Sequence, residues 1–275
     1  MAATLQEIQQ VERELLSAFI DVCNKLHLKW FLIAGSCLGA VRHQGIIPWD
    51  DDIDVAMPRD DYETFLKHAQ EHLPAHIFLQ TYVTDPAYIR NIAKLRHSNT
   101  TFIEASVKNY RMNHGIWLDV CPLDGYKDIS KNLTYRACKN MLSQTHTVRA
   151  YPKGSPERKR LGSLANRLIR AWIRTPENAL RKLDKLYRSK DYYTSDTIVN
   201  YCGAWGGKDI TPRSMFGDGR TAVFDGVEVI IPVQAEEYLA HVYGANFMEL
   251  PPEEKRSSLH YDYVIDASKP YTEYL

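Results

Sequence analysis

Four carboxylates, Asp50, Asp51, Asp52 and Asp54, fall within five positions of the run Pro48-Trp49-Asp50-Asp51-Asp52-Ile53-Asp54-Val55. If residues 52–56 form a strand, side chains alternate between faces, so Asp52 and Asp54 project together while Ile53 and Val55 enter a core. Carboxylates held that close repel one another, and a hard divalent cation is the usual remedy. The ordinary alternative, a solvated acidic loop, gives no reason for apolar residues to alternate with the acids. A calcium loop of the EF-hand type also fails, because its sixth place is Val55 rather than Gly and its twelfth is Asp61 rather than Glu. The pattern therefore predicts a metal site.

Two further signals flank it. Upstream, an apolar strand from Trp30 to Ala34 is expected to break at Gly35-Ser36 and re-enter a short helix through Leu38 to Arg42. Small residues at such a break let backbone N–H groups approach a phosphate. Downstream, Ile116, Leu118 and Val120 alternate with Trp117, Asp119 and Cys121, which makes Asp119 the one ionisable group of a buried-looking strand. Taken alone, Asp119 is equally a ligand or a satisfied core acid. The layout as a whole resembles the nucleotidyltransferase fold, in which three carboxylates hold one or two Mg²⁺ ions on a nucleotide's phosphates.

The resemblance narrows with Ala34-Gly35-Ser36, Leu38-Gly39-Ala40-Val41-Arg42, the Ile47 to Val55 block, Lys94-Leu95-Arg96 and Trp117 to Asp124. Together with Tyr243-Gly244, Leu250-Pro251-Pro252, Lys255-Arg256 and His260, these resemble the LicD family. That family contains phosphocholine transferases of bacterial surface glycans and is related to fukutin and fukutin-related protein. The likeness runs from the N-terminal helix to about residue 261, with 130–200 carrying little of it. It implies an α+β fold: a nucleotidyltransferase-like mixed β-sheet flanked by helices, in one domain over 1–275.

It also implies chemistry. CDP-choline would be the donor and phosphocholine the transferred group, with CMP released; the related eukaryotic enzymes use CDP-ribitol. The acceptor would be a sugar hydroxyl of a glycan or lipid-linked glycan, as in lipopolysaccharide, teichoic acid or capsule. Mg²⁺ or Mn²⁺ is expected on Asp52, Asp54 and Asp119, the Gly35-Ser36 turn around the phosphates, and Lys94 and Arg96 on one strand face toward phosphate. For that pair a half-exposed solvated position is the simpler reading without the resemblance. Lys255, Arg256 and His260 are expected to return to the site, though a surface tail is the default for such a segment. Asp50 is favoured as the base that takes the acceptor's proton, ahead of Asp51 and His260. Trp49 and Trp117 stand nearest the carboxylates and are candidates for an aromatic cage around choline, or simply packing. Arg42 is expected to touch substrate or to pair with a carboxylate of the cluster, and Asp124 to be structural. The competing enzyme reading is a nucleotidyltransferase that attacks the phosphorus next to the nucleoside and releases pyrophosphate.

Composition agrees with a compact enzyme acting on a small donor. The chain has 275 residues, 44% hydrophobic and 25% charged, and Lys+Arg balances Asp+Glu at 34 each, so no global field attracts nucleic acid. Five cysteines lack CxxC or Cys/His ligand spacing, and no apolar run approaches the roughly 20 residues needed to span a bilayer. The N-terminus is polar and helical in period rather than a signal peptide, so a reducing cytoplasm is expected.

Thr4 and Glu7 read as a capping box for the first helix, with Ile8, Leu15, Phe19 and Cys23 on its apolar stripe. Pro58 reads as a second helix start, with strands at 77–82, 90–96 and 101–104 after it. A hairpin turning at Asp225-Gly226 and a short helix closed by Gly244 follow near the C-terminus. Residues 149–190 hold thirteen Lys or Arg against Glu157, Glu177 and Asp184. This marks a basic helical insert within about 130–200. In it Leu161, Leu164, Ala165, Leu168, Ile169 and Trp172 recur at helical spacing. Such a helix more often packs its stripe on its own domain, which is the expectation here. The alternative is peripheral contact of residues 160–174 with an anionic membrane, at the inner surface.

Overall fold

The computed structural model describes residues 3–257 and 262–275. Helix α1 (Leu5–Leu26) opens with the expected reciprocal cap, Thr4 accepting from the Glu7 amide while the Glu7 carboxylate accepts from the Thr4 N–H at 2.7 Å. Short strand β1 (Phe31–Leu32) leads directly into α2 (Ala34–Arg42). The helix thus begins earlier than expected, and Gly35-Ser36 forms its first turn rather than the break before it. Strand β2 (Asp54–Pro58) runs into α3 (Arg59–His68), for which Pro58 is the cap residue. Strands β3 (Ile77–Gln80), β4 (Ala93–His97), β5 (Thr101–Glu104) and β6 (Ile116–Gly125) follow.

All ten residues of β6 are buried, as a strand covered on both faces requires. It is the centre of a mixed sheet in the order β1-β2-β6-β4-β3, parallel to β2 and antiparallel to β4. Helix α1 packs across β6 and β4, placing Leu15 and Phe19 in the core. The mixed sheet with flanking helices is the α+β arrangement expected.

Helices α4 (Leu133–Ala150), α5 (Pro156–Lys159), α6 (Leu164–Ile173) and α7 (Pro176–Tyr187) form a helical layer with its own small core around Cys138, Met141, Ile173 and Leu183. It is tied to the sheet by Arg59, which donates to Asp124 at 2.6 and 2.8 Å and to Asp184 at 3.2 Å. Asp124 is therefore structural, at the end of β6. One expectation fails in this layer. Leu164, Leu168 and Trp172 do not pack on the domain but are 69%, 62% and 51% exposed; α6 touches its neighbours through Ile169 and Ile173 instead.

The chain continues through β7 (Thr197–Val199), which extends β6, and β8 (Ile210–Pro212) to α8 (Arg213–Phe216). Strands β9 (Arg220–Phe224) and β10 (Val227–Ile231) make the expected hairpin, with positive φ at Asp225 (49°) and Gly226 (83°) as its two-residue turn requires. Helix α9 (Ala235–Tyr243) ends at Gly244, φ 97°, and β11 (Asp262–Asp266) pairs with β5.

Candidate active site

Sheet register assembles the carboxylates. Asp54, first residue of β2, lies opposite Asp119 of β6, and Asp119 lies opposite Lys94 of β4, so the three stand in one row across adjacent strands. Asp52 precedes β2 in an irregular segment, not on the strand as expected. Ile53 between the acids is nonetheless fully buried, and its carbonyl accepts from the Asp119 amide at 2.9 Å. Ligand oxygens of Asp52, Asp54 and Asp119 all lie within 4.8 Å of one another. Burial, then the charges of Asp52 and Asp119, push the Asp54 carboxyl well above its usual range.

Lys94 Nζ is 3.1 Å from both Asp119 oxygens and donates to Oδ2, which also accepts from the Trp117 indole N–H at 3.1 Å. Asp119 Oδ1 is buried and has no hydrogen-bond partner among the described residues. A cluster whose central acid favours a proton, and whose neighbour has a buried oxygen touched by Lys94 but accepting no hydrogen bond, is one that a hard divalent cation would complete. The residues present fit Mg²⁺ or Mn²⁺.

The α2 N-terminus faces the same acids. Its cap residue, Ile33, supplies no side-chain cap, and Ala34 takes a left-handed φ of 47°. The Ala34 N–H donates to the Tyr238 hydroxyl at 3.1 Å, and Ser36 Oγ accepts from the Asp54 amide at 2.8 Å. Ser36 thus fixes the start of β2. A side chain at Gly35 would meet Asp50 Oδ2 at 2.9 Å, so glycine is what lets this carboxylate approach the helix end. Neither Asp50 nor Asp52 is on a strand with Asp54, so the parity that favoured Asp50 does not apply. It instead forms a second acidic group with Asp51 and Asp52, also within 4.8 Å.

Beneath that group lies Glu12 of α1, fully buried, with neither oxygen hydrogen-bonded among the described residues. Burial, then Asp52, Asp51 and Asp50, raise its pKa well above the ordinary value. One turn earlier Gln9 donates to the Ile47 and Asp50 carbonyls at 3.3 and 2.9 Å, so α1 both supports the acidic segment and points an acid at it.

Two adjoining cavities open beside the carboxylates. One of about 200 Å³ is lined by Asp52, Asp54, Asp119, Trp205, Asp209 and Tyr238. The other, about 440 Å³, lies between the sheet and the helical layer, with Lys94, Arg96, Tyr110, Lys139, Tyr187 and Tyr201 among its walls. Arg90, Ile92, Cys202 and Gly203 border both, which makes them one cleft.

Residues 27–147, which span this carboxylate row, match the model of the LicD/FKTN/FKRP nucleotidyltransferase domain. The lipopolysaccharide cholinephosphotransferase LicD of Haemophilus influenzae is 27% identical over 272 aligned residues, covering 94% of this chain and 96% of that protein. The chain thus carries a LicD-type domain match over 27–147 and is similar to this LicD protein over nearly its whole length. Uncharacterized proteins of Rickettsia prowazekii and Rickettsia typhi are each 38% identical over 73 residues, 26% of this chain and 23% and 20% of theirs.

The other anticipated residues divide. Arg96 is buried, donating to Gln80 and the Gly115 carbonyl at 2.8 and 2.7 Å, with its guanidinium 4.8 Å from the Trp117 ring. The Lys94 ammonium is 4.0 Å from that ring. Trp117 is thus surrounded by the protein's own cations and cannot cage choline. Trp49 is similar, with Arg42 at 6.0 Å and Arg256 at 5.4 Å from its ring. Arg42 pairs with no carboxylate of the cluster; it donates to the Phe247 and Glu249 carbonyls at 2.9 and 3.2 Å, anchoring the C-terminal segment. Arg256 therefore does return to the acidic loop, through Trp49. Lys255 is exposed on a short turn of 3₁₀-helix (Glu253–Lys255), and His260 lies outside the described residues.

Glu12, Tyr238, Trp205 and Asp209 are not among the site residues expected from sequence. The signal for Glu12 was present: an acid inside the apolar face of an amphipathic helix, between Ile8 and Leu15.

Proposed function

We propose that this protein transfers phosphocholine from CDP-choline to a sugar hydroxyl of a cell-surface glycan, releasing CMP. The observation that carries the reading is the row Lys94–Asp119–Asp54, joined by Asp52, beside an uncapped helix N-terminus, in a chain similar over nearly its whole length to a lipopolysaccharide cholinephosphotransferase. Phosphoryl transfer depends mainly on positioning and charge neutralisation.

Asp52, Asp54 and Asp119 would hold Mg²⁺ or Mn²⁺. When bound, that ion supplies neutralisation of the donor's pyrophosphate. Lys94, its own pKa lowered by burial against the pull of Asp119, adds a cation at the same carboxylate. The first-turn amides of α2 face the site and favour an anion there. Attack by the acceptor oxygen on the phosphorus distal to cytidine forms the new phosphodiester, breaks the bond to the CMP oxygen and leaves CMP carrying the charge. Asp50, beside that helix end, is our candidate for taking the hydroxyl proton, and Asp51 and His260 are the others. The choline cation fits the smaller cavity, where Trp205 presents an exposed ring near the Asp209 carboxylate.

The test is CMP release by purified protein with a glycan acceptor and Mg²⁺, comparing CDP-choline, CDP-ribitol, CDP-glycerol and CDP-ethanolamine, with and without EDTA. Metal-dependent CMP from CDP-choline supports the proposal. Preference for another donor changes the transferred group, and pyrophosphate release from a nucleoside triphosphate would replace the reading by nucleotidyl transfer.

A further inference from the structure

We infer that α6 is a docking surface for an anionic lipid bilayer. Its exposed apolar residues, Leu164, Leu168 and Trp172, recur every four positions and so form one stripe along the helix, widened by exposed Ala165 and Ala171. At the adjoining C-terminal end of α4, Val148 (46%) and Tyr151 (44%) are exposed as well. Arg158, from the segment leading to α6, donates to the Val148 carbonyl at 2.6 Å, which places the two surfaces side by side.

Charge selects the occupant. From residue 158 to 176 there are six basic residues and no acid. Arg158 and Arg170 are engaged inward, Arg170 with the Leu161 carbonyl, whereas Lys159, Arg160, Arg167 and Arg174 are exposed and form no ion pair among the described residues. A second copy of the chain on this face would set four exposed cations against four. An anionic lipid surface satisfies both features, since leucine and tryptophan enter the headgroup region while arginines meet phosphates. No helix among the described residues is long and apolar enough to cross a membrane, so the contact is peripheral.

The placement suits the proposed reaction, on which only the purpose of docking rests. Helix α4, packed against α6, lines the larger cavity through Lys139, Ser143 and His146. One helical layer therefore meets the bilayer on one side and borders the carboxylate cleft on the other, as a lipid-linked glycan acceptor would need.

The test is co-sedimentation of the full chain with phosphatidylglycerol/phosphatidylethanolamine vesicles and with phosphatidylcholine vesicles, at low and high salt. Tight binding to the anionic vesicles is expected, at least tenfold weaker on phosphatidylcholine and weakened by salt. The variant Leu164→Ser/Leu168→Ser/Trp172→Ser, altered only at exposed positions, should keep its Tm and lose at least tenfold in binding. Arg160→Gln/Arg167→Gln/Arg174→Gln should lose roughly a hundredfold, about fivefold per charge. Absence of wild-type binding, or equal binding by the serine variant, would overturn the inference. So would a concentration-dependent dimer that the serine variant dissociates, which would assign the face to a second copy. Vesicle binding by a protein that transfers nothing would instead refute the catalytic proposal alone.

Discussion

Replacing Glu12 by Gln should change how stability depends on pH, and the size of the change follows from the site. Glu12 is fully buried against Asp50, Asp51 and Asp52, and its folded-state pKa is raised well above the unfolded value near 4.5. For an acid shifted in this direction, the folded state holds the proton more tightly. Its contribution is intact below the unfolded pKa and is lost as pH rises toward the folded one. The loss approaches about 1.4 kcal/mol per pH unit. Gln does not titrate, so that slope disappears. The amide is buried without partners, as the protonated acid is, so the substitution adds little cost of its own at low pH. The variant should therefore be close to the wild type in stability near the unfolded pKa and gain on it as pH rises. With a urea m-value of about 3 kcal/mol per molar, the gap between midpoints should change by about 0.5 M per pH unit. Urea titrations in EDTA from pH 5 to 8 measure this directly. Parallel curves for the two proteins would refute the argument, because they would mean that Glu12 has a partner that keeps it charged.

Two further outcomes follow from the same geometry. Asp54 is raised by burial and by Asp52 and Asp119, so protons compete with metal: MgCl₂ at a hundredfold excess over its Kd should add about 2.7 kcal/mol of stability near pH 8 and less near pH 5.5. Differential scanning calorimetry should show this as a rise in Tm of about 5–10 °C at pH 8. Asp54→Asn should abolish it, and an equal rise in that variant would contradict the ligand assignment. Asp124→Ala should cost about 3 kcal/mol in denaturant unfolding. That is the low end for breaking a buried pair, because Arg59 keeps Asp184 and Glu63, while Mg²⁺ affinity stays unchanged. A loss below 1 kcal/mol would show that Arg59 re-pairs freely.

Much of the site was legible because it is built from strand periodicity. Ile53 and Val55 alternating with Asp52 and Asp54, and Leu118 and Val120 around Asp119, announced acids beside a core, and these three acids do converge. The capping box at Thr4 and the Asp225-Gly226 turn were legible for a similar reason, since each is a local rule satisfied within four residues. What sequence did not disclose depends on contacts between distant elements. Arg42 and Arg256 approach Trp49, and Lys94 and Arg96 close on Trp117; nothing local indicates that these rings are already occupied by protein cations. Ser36 reads as a phosphate-loop residue, yet its hydroxyl accepts from the Asp54 amide once α2 packs beside β2. The α6 stripe shows the reverse limit. Its period is plain in the sequence, but whether it faces protein or solvent is decided by how α4 and α7 pack, and here they leave it uncovered.

The central claim concerns which phosphorus is attacked, and a double-label experiment addresses it most directly. CDP-choline carrying one label on cytidine and another on choline is incubated with the protein, Mg²⁺ and a lipopolysaccharide-derived oligosaccharide, and acceptor and nucleotide are separated. Phosphocholine transfer predicts choline label alone on the oligosaccharide, an equal amount of labelled CMP, and loss of both with Asp119→Asn. Cytidine label on the oligosaccharide, or undiminished transfer by Asp119→Asn, would contradict it.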